Sequence, residues 1–147
     1  MNKLIFLVGL PACGKSTYAN ENLSKDCEIL SSDLLRKELF GDERIQKDSK
    51  LVFSTLFKRA QDFLRAGKNV VIDATNVDLL EREQAMQHFK DFNVKRIAIV
   101  FDVPIETCVT RDLGRNRTVG EYVIKRYAKK FVLPTKSEGF DEIIFIR

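Results

Sequence analysis

The sequence predicts an α/β domain in which a parallel sheet lies between two layers of helices. Short apolar runs alternate along the chain with longer segments whose apolar residues recur at helical spacing. Two of the runs, Leu4–Val8 and Val94–Phe101, are continuously apolar, as expected for strands that are covered on both faces. Because strands that alternate with helices form right-handed crossover units, they generate a parallel sheet. The predicted architecture is therefore a three-layer sandwich.

The first part of the chain predicts two strands and two helices. Leu4–Val8 is the first strand, and a helix begins at Lys15 after a glycine-rich turn. Glu28–Ser31 is predicted to be a short second strand. Ser32–Leu39 is predicted to be a helix that stops near Gly41, since glycine commonly follows a helix C terminus.

The middle of the chain predicts a long helix, a strand and another helix. Asp48–Ala66 is the longest helix, and Gly67 is a plausible stop. One face of this helix carries apolar residues at helical spacing: Val52, Leu56, Ala60 and Phe63. Asn69–Asp73 is the third predicted strand, and Val77–Phe89 is the helix that follows it.

The last third of the chain contributes two more strands. Val94–Phe101 is the fourth strand, and Ile105–Leu113 is a helix. The polar, basic segment Arg111–Val119 is too irregular for a strand and is predicted to be a mobile loop. Glu121–Phe131 is a helix, with Val123, Tyr127 and Phe131 on one face. Glu142–Ile146 is the last strand.

Length and composition favour one domain over residues 1–147. The chain of 147 residues is 44% hydrophobic and has eleven phenylalanines, which is enough to fill a sizeable core.

A net charge of +4 permits an anionic partner without identifying one. Three cysteines without a CxxC pair argue against a zinc site or a disulfide framework. The same cysteine pattern fits a reducing, cytoplasmic location. Because no apolar stretch approaches the ~18 residues that span a bilayer, we expect a soluble protein without a membrane partner. The oligomeric state is not predicted.

A phosphate-binding motif follows the first strand. The pattern GxxxxGKS sits between a strand and a helix, which is the context that identifies a Walker A loop. Backbone N–H groups in such a loop point at phosphate oxygens, and the helix N terminus adds a partial positive charge. Lys15 is expected to contact the β- and γ-phosphates, and the Ser16 hydroxyl to bind Mg²⁺. The candidate residues for ATP, or another nucleoside triphosphate, are Gly9, Pro11, Ala12, Cys13, Gly14, Lys15, Ser16 and Thr17.

A carboxylate and an arginine follow the second strand. Asp33 is expected at the same sheet edge as the Walker A loop, where a base could deprotonate a hydroxyl acceptor. It could equally be a carboxylate at a helix N terminus, with Ser31 or Ser32 as the cap. Arg36 lies one helical turn further on, so the pair is either an acceptor site or a surface ion pair.

Five short motifs occur in order along the chain. They are Gly9-Leu10-Pro11-x-x-Gly14-Lys15-Ser16-Thr17, Ser32-Asp33-x-x-Arg36, Val71-Ile72-Asp73-Ala74-Thr75-Asn76, Arg111-x-x-x-Arg115-x-Arg117-x-Val119, and Pro134 with Glu138-Gly139-Phe140-Asp141-Glu142-Ile143. Together they resemble the kinase module of 5′-hydroxyl polynucleotide kinases over nearly the whole chain. The first motif is shared with many unrelated proteins, so the later motifs carry the resemblance.

The resemblance implies a P-loop kinase-like fold and transfer of the ATP γ-phosphate to the 5′-hydroxyl of a DNA or RNA end. It implies that Lys15 and Ser16 hold phosphates and Mg²⁺. Asp33 is then the general base. Arg36 is implied to contact the 3′-phosphate of the acceptor nucleotide.

The resemblance also implies a short arginine-rich lid, at about residues 111–119. Arg111 and Arg115 would grip the ATP phosphates, and Arg115 would stabilise the transition state. Asn76, after the third strand, is a candidate substrate-binding residue. Asp73 either orients a water bound to Mg²⁺ or braces the lid, or it is a structural hydrogen-bond acceptor.

The chain departs from the usual family pattern in two places. Ala12 and Cys13 stand where this family's loop often has glycine and serine, which would adjust the nucleotide pocket. Cys13 is interpreted as a space-filling residue rather than a redox group. Gly120 stands where proline often follows the lid.

Other residues that could carry chemistry have simpler interpretations. His88, the single histidine, is interpreted as a surface or packing residue. The last helix also has a basic face, which is more often solubilising than nucleic-acid binding: Lys125, Arg126, Lys129 and Lys130.

Three other functions share these features. A small-molecule kinase acting on a sugar, nucleoside or antibiotic hydroxyl would have the same loop, base and lid. Arg36 argues for a nucleic acid, because a neutral sugar offers no phosphate to grip. A kinase for the hydroxyl of a charged tRNA usually carries additional segments. A nucleotide-gated binding module would not need Asp33 as a base.

Overall fold

The computed structural model describes residues 1–42, 48–115 and 118–147. In these residues a five-stranded sheet has the order β2-β3-β1-β4-β5, with every neighbouring pair parallel. The strands are β1 (Lys3–Val8), β2 (Cys27–Ser31), β3 (Asn69–Asp73), β4 (Lys95–Phe101) and β5 (Glu142–Ile146). The helices are α1 (Lys15–Asn22), α2 (Ser32–Phe40), α3 (Ser49–Arg65), α4 (Leu79–Gln87), α5 (Ile105–Leu113) and α6 (Glu121–Lys130). The predicted α/β fold class is confirmed.

The central strand β1 builds the core on both faces of the sheet. Because successive side chains point to opposite faces, Leu4, Phe6 and Val8 join one apolar cluster, and Ile5 and Leu7 join another. The first cluster contains side chains of α2, α3 and α4, and the second contains side chains of α1, α5 and α6. These two clusters make the three layers of the sandwich.

The helices lie where they were predicted, with ends shifted by one or two residues in α2, α3, α4 and α6, and two buried faces and the start of one irregular segment also differ. In α3 the buried positions are Val52, Leu56, Ala60 and Leu64. Leu64 thus replaces the predicted Phe63, which is only partly buried. In α6 Ile124 is the buried residue, whereas the predicted Val123 is intermediate, so the inward face is rotated by one position. Arg111 lies in the last turn of α5, so the irregular segment predicted to begin there starts later.

A buried ion pair ties the end of β3 to the segment before β5. Arg82 of α4 is fully buried and donates to Glu138, with distances of 2.8 Å from Nε and 3.2 Å from Nη2. Its Nη1 also donates to the carbonyls of Asn76 and Val77. Glu138 belongs to a short 3₁₀ turn, Lys136–Glu138. The arrangement fixes the loop at the C-terminal edge of the sheet.

The described part of the chain has no helix that is both long enough and apolar enough to span a membrane.

Candidate functional site

The loop between β1 and α1 has the tight geometry that a phosphate-binding loop needs. Gly14 has φ 99° and Ala12 has φ 65°, so the backbone turns sharply twice before α1 begins. A side chain at Gly9 would force its neighbours to shift, because a Cβ there would lie 2.6 Å from Cys13 Sγ and 3.0 Å from Phe101 Cβ. Gly9 N–H donates to the carbonyl of Thr75 at 2.9 Å. The loop is thereby joined to the end of β3.

Lys15 is folded against this loop. Its Nζ donates to the carbonyls of Leu10 at 2.8 Å and Gly9 at 3.1 Å, and the side chain is buried. Cys13 Sγ lies 3.6 Å from the same nitrogen. A phosphate oxygen would offer this ammonium a charged acceptor in place of neutral carbonyls, and charge-assisted hydrogen bonds are about twice as strong.

Ser16 and Asp73 form a hydrogen-bonded pair of oxygen-bearing side chains beside the loop. Ser16 Oγ donates to Asp73 Oδ2 at 2.7 Å. Burial raises the pKa of the Asp73 carboxyl, the Ser16 hydrogen bond and Lys15 oppose that rise, and Asp33 adds to it. Mg²⁺ prefers hard oxygen ligands and usually takes only one or two of them from the protein. The described residues contain no group of three or more His, Cys, Asp or Glu side chains that could hold a metal ion. This pair therefore fits a magnesium ion that also binds nucleotide phosphates.

Asp33 and Arg36 lie at the start of α2, on the same sheet edge. Arg36 Nη1 is 3.3 Å from Asp33 Oδ1, and the two side chains are 9% and 51% exposed. Ser31 caps the helix by accepting from Leu34 N–H, so Asp33 also sits in the favourable first turn. Arg36 Nε is buried and finds no acceptor among the described residues. The pair thus presents an accessible carboxylate and an incompletely satisfied cation.

The two predicted lid arginines have different partners. Arg111 Nη1 donates to the carbonyl of Cys13 at 3.2 Å, so it touches the phosphate-binding loop directly. Arg115 Nη1 lies 3.4 Å from Asp112 Oδ1. Asp112 is buried and also accepts from the N–H groups of Val119 and Gly120. Arg117 lies outside the described residues.

Asp112 was missed by the sequence analysis. Its partners lie seven and eight residues further along the chain, and no motif indicates that the chain returns to it. Because both carboxylate oxygens accept backbone N–H groups, Asp112 ties the end of α5 to the start of α6.

Asn76 holds the end of β3 against β1. It has φ 51°, and its Nδ2 donates to the carbonyl of Leu7 at 2.7 Å. The amide N–H₂ is therefore used by the fold, while the residue also borders the cleft described next. Its predicted contact with a substrate stays a prediction.

One cleft of about 1310 Å³ joins these groups across the C-terminal edge of the sheet. Every candidate residue of the sequence analysis lines it except Gly9, which lies beneath the loop: residues 11–17, Asp33, Arg36, Asn76, Arg111 and Arg115. Asp73 lines it as well. Side chains that were interpreted as packing or solubilising also reach it: His88, Arg126 and Lys130. Phe53 and Phe57, which the sequence analysis did not single out, line it too. Their positions depend on how α3, α4 and α6 converge, which local sequence does not encode.

A parallel sheet in this order, with a phosphate-binding loop after its central strand and a carboxylate after the edge strand, defines a P-loop kinase domain. The chain belongs to the AAA domain family AAA_33, whose model matches residues 4–134. The domain is thus of the P-loop kinase type, and its family implies the use of a nucleotide such as ATP.

Curated relatives of this chain differ in size and activity. It is 29% identical to the L-seryl-tRNA(Sec) kinase of Methanococcus maripaludis, over 94% of this chain and 56% of that protein. It is 27% identical to the bifunctional polynucleotide phosphatase/kinase of Schizosaccharomyces pombe, over 96% of this chain and 32% of that protein. The transcription factor bHLH140 of Arabidopsis thaliana is 28% identical over 97% of this chain, which spans 16% of it. The chain thus matches only part of each of these proteins.

Two further likenesses bear on fold and size. A shikimate kinase of Clostridium botulinum is 26% identical over 83% of this chain and 79% of that enzyme. Among solved structures, one described as the Pnkp1/Rnl/Hen1 RNA repair complex superposes with a TM-score of 0.78 at 24% identity. That match covers 88% of this chain and 43% of the solved chain. It establishes the shared fold.

Proposed function

We propose that this protein transfers the γ-phosphate of ATP to the 5′-hydroxyl of a DNA or RNA end. The observation that carries the proposal is the Asp33–Arg36 pair, which lines the same cleft as the phosphate-binding loop. A base for the hydroxyl and a cation for a neighbouring phosphate are what a nucleic-acid acceptor needs. Relatives named as polynucleotide phosphatase/kinase support the assignment.

The donor site is proposed to lie over the loop. Backbone N–H groups of residues 12–16 and the ammonium of Lys15 would hold the β- and γ-phosphates. Ser16, together with Asp73, would hold Mg²⁺, which when bound neutralises charge on the phosphate oxygens. Arg111, already in contact with the Cys13 carbonyl, is placed to reach the same phosphates.

The proposed reaction is a direct displacement at the γ-phosphorus. Asp33 accepts the proton of the 5′-hydroxyl, and the freed oxygen forms a bond to phosphorus. The bond between phosphorus and the β–γ bridging oxygen breaks, so that ADP leaves. Arg115 and Arg111 compensate the negative charge that develops on the transferred group.

Arg36 is proposed to position the acceptor. Its guanidinium is almost fully buried, and the Nε donor finds no acceptor within the described residues. Because a buried donor without an acceptor costs free energy, a phosphate oxygen at this place would satisfy a group that the fold leaves open. The 3′-phosphate of the terminal nucleotide provides such an oxygen.

The proposed catalytic module comprises residues 1–147, with a lid at about 111–119 that closes over the nucleotide. Closure would exclude water, which otherwise competes with the acceptor hydroxyl for the γ-phosphate. Asn76 is proposed to contribute its Oδ1 to the acceptor side of the cleft.

The direct test is a panel of acceptors. The protein is incubated with γ-labelled ATP and Mg²⁺ and with 5′-hydroxyl oligonucleotides, nucleosides, sugars or shikimate. Label on the oligonucleotides and none on the small molecules is expected. The opposite result would replace the proposal with a small-molecule kinase, an alternative favoured by the length of the shikimate kinase match.

The role of Arg36 has its own test. Arg36→Ala is expected to raise KM about tenfold or more for an acceptor that carries a 3′-phosphate, because a charged hydrogen bond is lost. KM for ATP should change much less. Equal increases for both substrates would contradict the acceptor role.

A further inference from the structure

A row of aromatic rings extends from Arg36 along the cleft. The Arg36 guanidinium lies 5.7 Å from the centre of the Phe53 ring. The Phe53 and Phe57 rings are 6.1 Å apart and tilted by 37°, and Phe57 and His88 are stacked at 4.5 Å with an angle of 26°. The row therefore starts at the proposed acceptor pair and continues through Phe57 to His88.

The rings of this row are fixed in place yet reachable from the cleft. Phe53 and Phe57 are half-buried on successive turns of α3, and His88 is exposed directly after α4. The edge of Phe57 packs against Phe89 in the core, with ring centres 6.0 Å apart. All three rings line the cleft that holds Lys15 and Asp33. Because Phe57 and His88 stack on each other, the row offers an incoming base its outer ring surfaces along the cleft and not the faces between these two rings.

Cations of another helix line the same cleft. On α6, Arg126 and Lys130 line the cleft, whereas Lys125 and Lys129 of the same helix are exposed outside it. Glu81 on α4 also borders the cleft and interacts electrostatically with Lys130. Positive charge beside aromatic rings is the combination by which proteins bind single-stranded nucleic acids.

We propose that Phe53, Phe57 and His88 form a base-stacking platform for an unpaired 5′ end, with Arg126 and Lys130 contacting its backbone. The inference rests on the proposed function and narrows its substrate to single-stranded ends of two or more nucleotides, of DNA or RNA. A base must be unpaired to lie flat on these rings, so a blunt duplex end has to open first.

The platform is tested with His88→Ala, since this exposed residue can be removed without opening the core. Phe57→Leu is the second variant, because leucine keeps most of the packing and lacks the π-face. His88→Phe restores a flat ring without an imidazole. Tyr122→Ala removes an aromatic residue that is 77% exposed on α6 and does not line the cleft, and it serves as the matched control.

Two readouts are made on the full chain. Steady-state transfer gives kcat and KM for single-stranded DNA and RNA decamers, for the same decamers with an abasic second nucleotide, and for a blunt duplex. Fluorescence anisotropy gives Kd for the labelled decamers without turnover. Loss of one stacked base is expected to raise KM and Kd about tenfold. The abasic decamers should bind equally weakly to the protein with and without His88→Ala, and KM for ATP should stay within about twofold.

The outcomes separate the two proposals. Transfer to decamers with KM raised by His88→Ala and Phe57→Leu, restored by His88→Phe and unchanged by Tyr122→Ala, supports the platform. Transfer with KM and Kd unaffected by both platform variants overturns the platform and leaves the kinase assignment intact. Binding that the variants weaken, without transfer to any oligonucleotide, supports the platform and overturns the assignment. Absence of both binding and transfer overturns both proposals.

The cationic part of the surface is tested by salt dependence. The double variant Arg126→Ala/Lys130→Ala should reduce the slope of log Kd against log salt by about 1.4, since each phosphate contact on a single strand contributes about 0.7. Lys125→Ala/Lys129→Ala removes the same charge from outside the cleft and should change the slope much less. If both double variants change the slope of log Kd against log salt equally, the oligonucleotide is attracted by the overall positive charge of α6. That result would overturn the assignment of backbone contacts to Arg126 and Lys130.

Discussion

At the residue scale, the carboxylate of Asp33 separates a kinase from a binding module. Asp33→Asn keeps the size of the side chain and its place in the first turn of α2 but cannot accept a proton. We expect kcat to fall by about 10²–10⁴-fold, the usual contribution of a general base. Single-turnover transfer with labelled ATP measures the loss, and ATP affinity should be unchanged. Full transfer by this variant would remove Asp33 from the mechanism.

Gly9 is a residue at which a single methyl group is costly. A Cβ would come within 2.6 Å of Cys13 Sγ, so Gly9→Ala has to displace the loop or the thiol. We expect a loss of about 1–3 kcal/mol in the free energy of unfolding, measured in urea. Gly114→Ala is the control, because its Cβ would meet only ordinary contact at 3.6 Å. Equal stability of the two variants would show that the loop can relax.

Several residues of the site were predictable because a short, continuous sequence motif identifies them. The spacing GxxxxGKS after an apolar strand predicted a glycine-rich turn and a helix that begins at Lys15, and α1 begins there. Asp112 and Arg82 were not predictable in this way. Each acts through partners brought near by the fold, and for Arg82 the partner lies 56 residues away.

At the scale of elements, the Arg82–Glu138 pair connects α4 to the segment that leads into β5. Removing one member of a buried ion pair leaves an uncompensated charge, so Arg82→Ala should cost about 3–5 kcal/mol in the free energy of unfolding. Arg59→Ala is the matched control: it breaks an exposed pair with Glu38 at 2.7 Å and should cost about 1 kcal/mol or less. Urea denaturation measures both. Similar losses would mean that burial does not set the strength of the first pair.

Periodicity predicted the elements well because apolar patterning decides which segments are strands and helices. β3, α5 and β5 have the predicted bounds. The rotated face of α6 has a different origin. Val123, Ile124 and Tyr127 are all apolar or aromatic, so the pattern allows two faces, and packing against the sheet selects Ile124.

At the scale of the whole molecule, nucleotide binding should stabilise the fold. A ligand present at 100 times its Kd adds about 2.7 kcal/mol to the free energy of unfolding. Mg²⁺–ATP should therefore raise Tm, and the rise should shrink when Mg²⁺ is chelated. Lys15→Ala should abolish the rise together with phosphate transfer. A rise that survives in this variant would place the nucleotide elsewhere.

The sequence predicted the nucleotide side of the cleft but not the side formed by aromatic rings and by the cations of α6. The donor side follows from one motif, whereas the aromatic row and the cations of α6 come together only when α3, α4 and α6 converge at one edge of the sheet. Phe53, Phe57 and His88 belong to no sequence motif. Aromatic residues at helical spacing usually indicate a buried helix face, so the sequence alone does not predict that these rings line a cleft.

The central claim is tested most directly by a crystal structure with a nonhydrolysable ATP analogue, Mg²⁺ and a single-stranded 5′-hydroxyl oligonucleotide. The account predicts the 5′-oxygen at about 2.6–3.2 Å from an Asp33 carboxylate oxygen and in line with the γ-phosphorus. Arg36 should contact the adjacent phosphate. An analogue bound over Lys15 with the Asp33 carboxylate turned away from it, and no acceptor oxygen between them, would contradict the account.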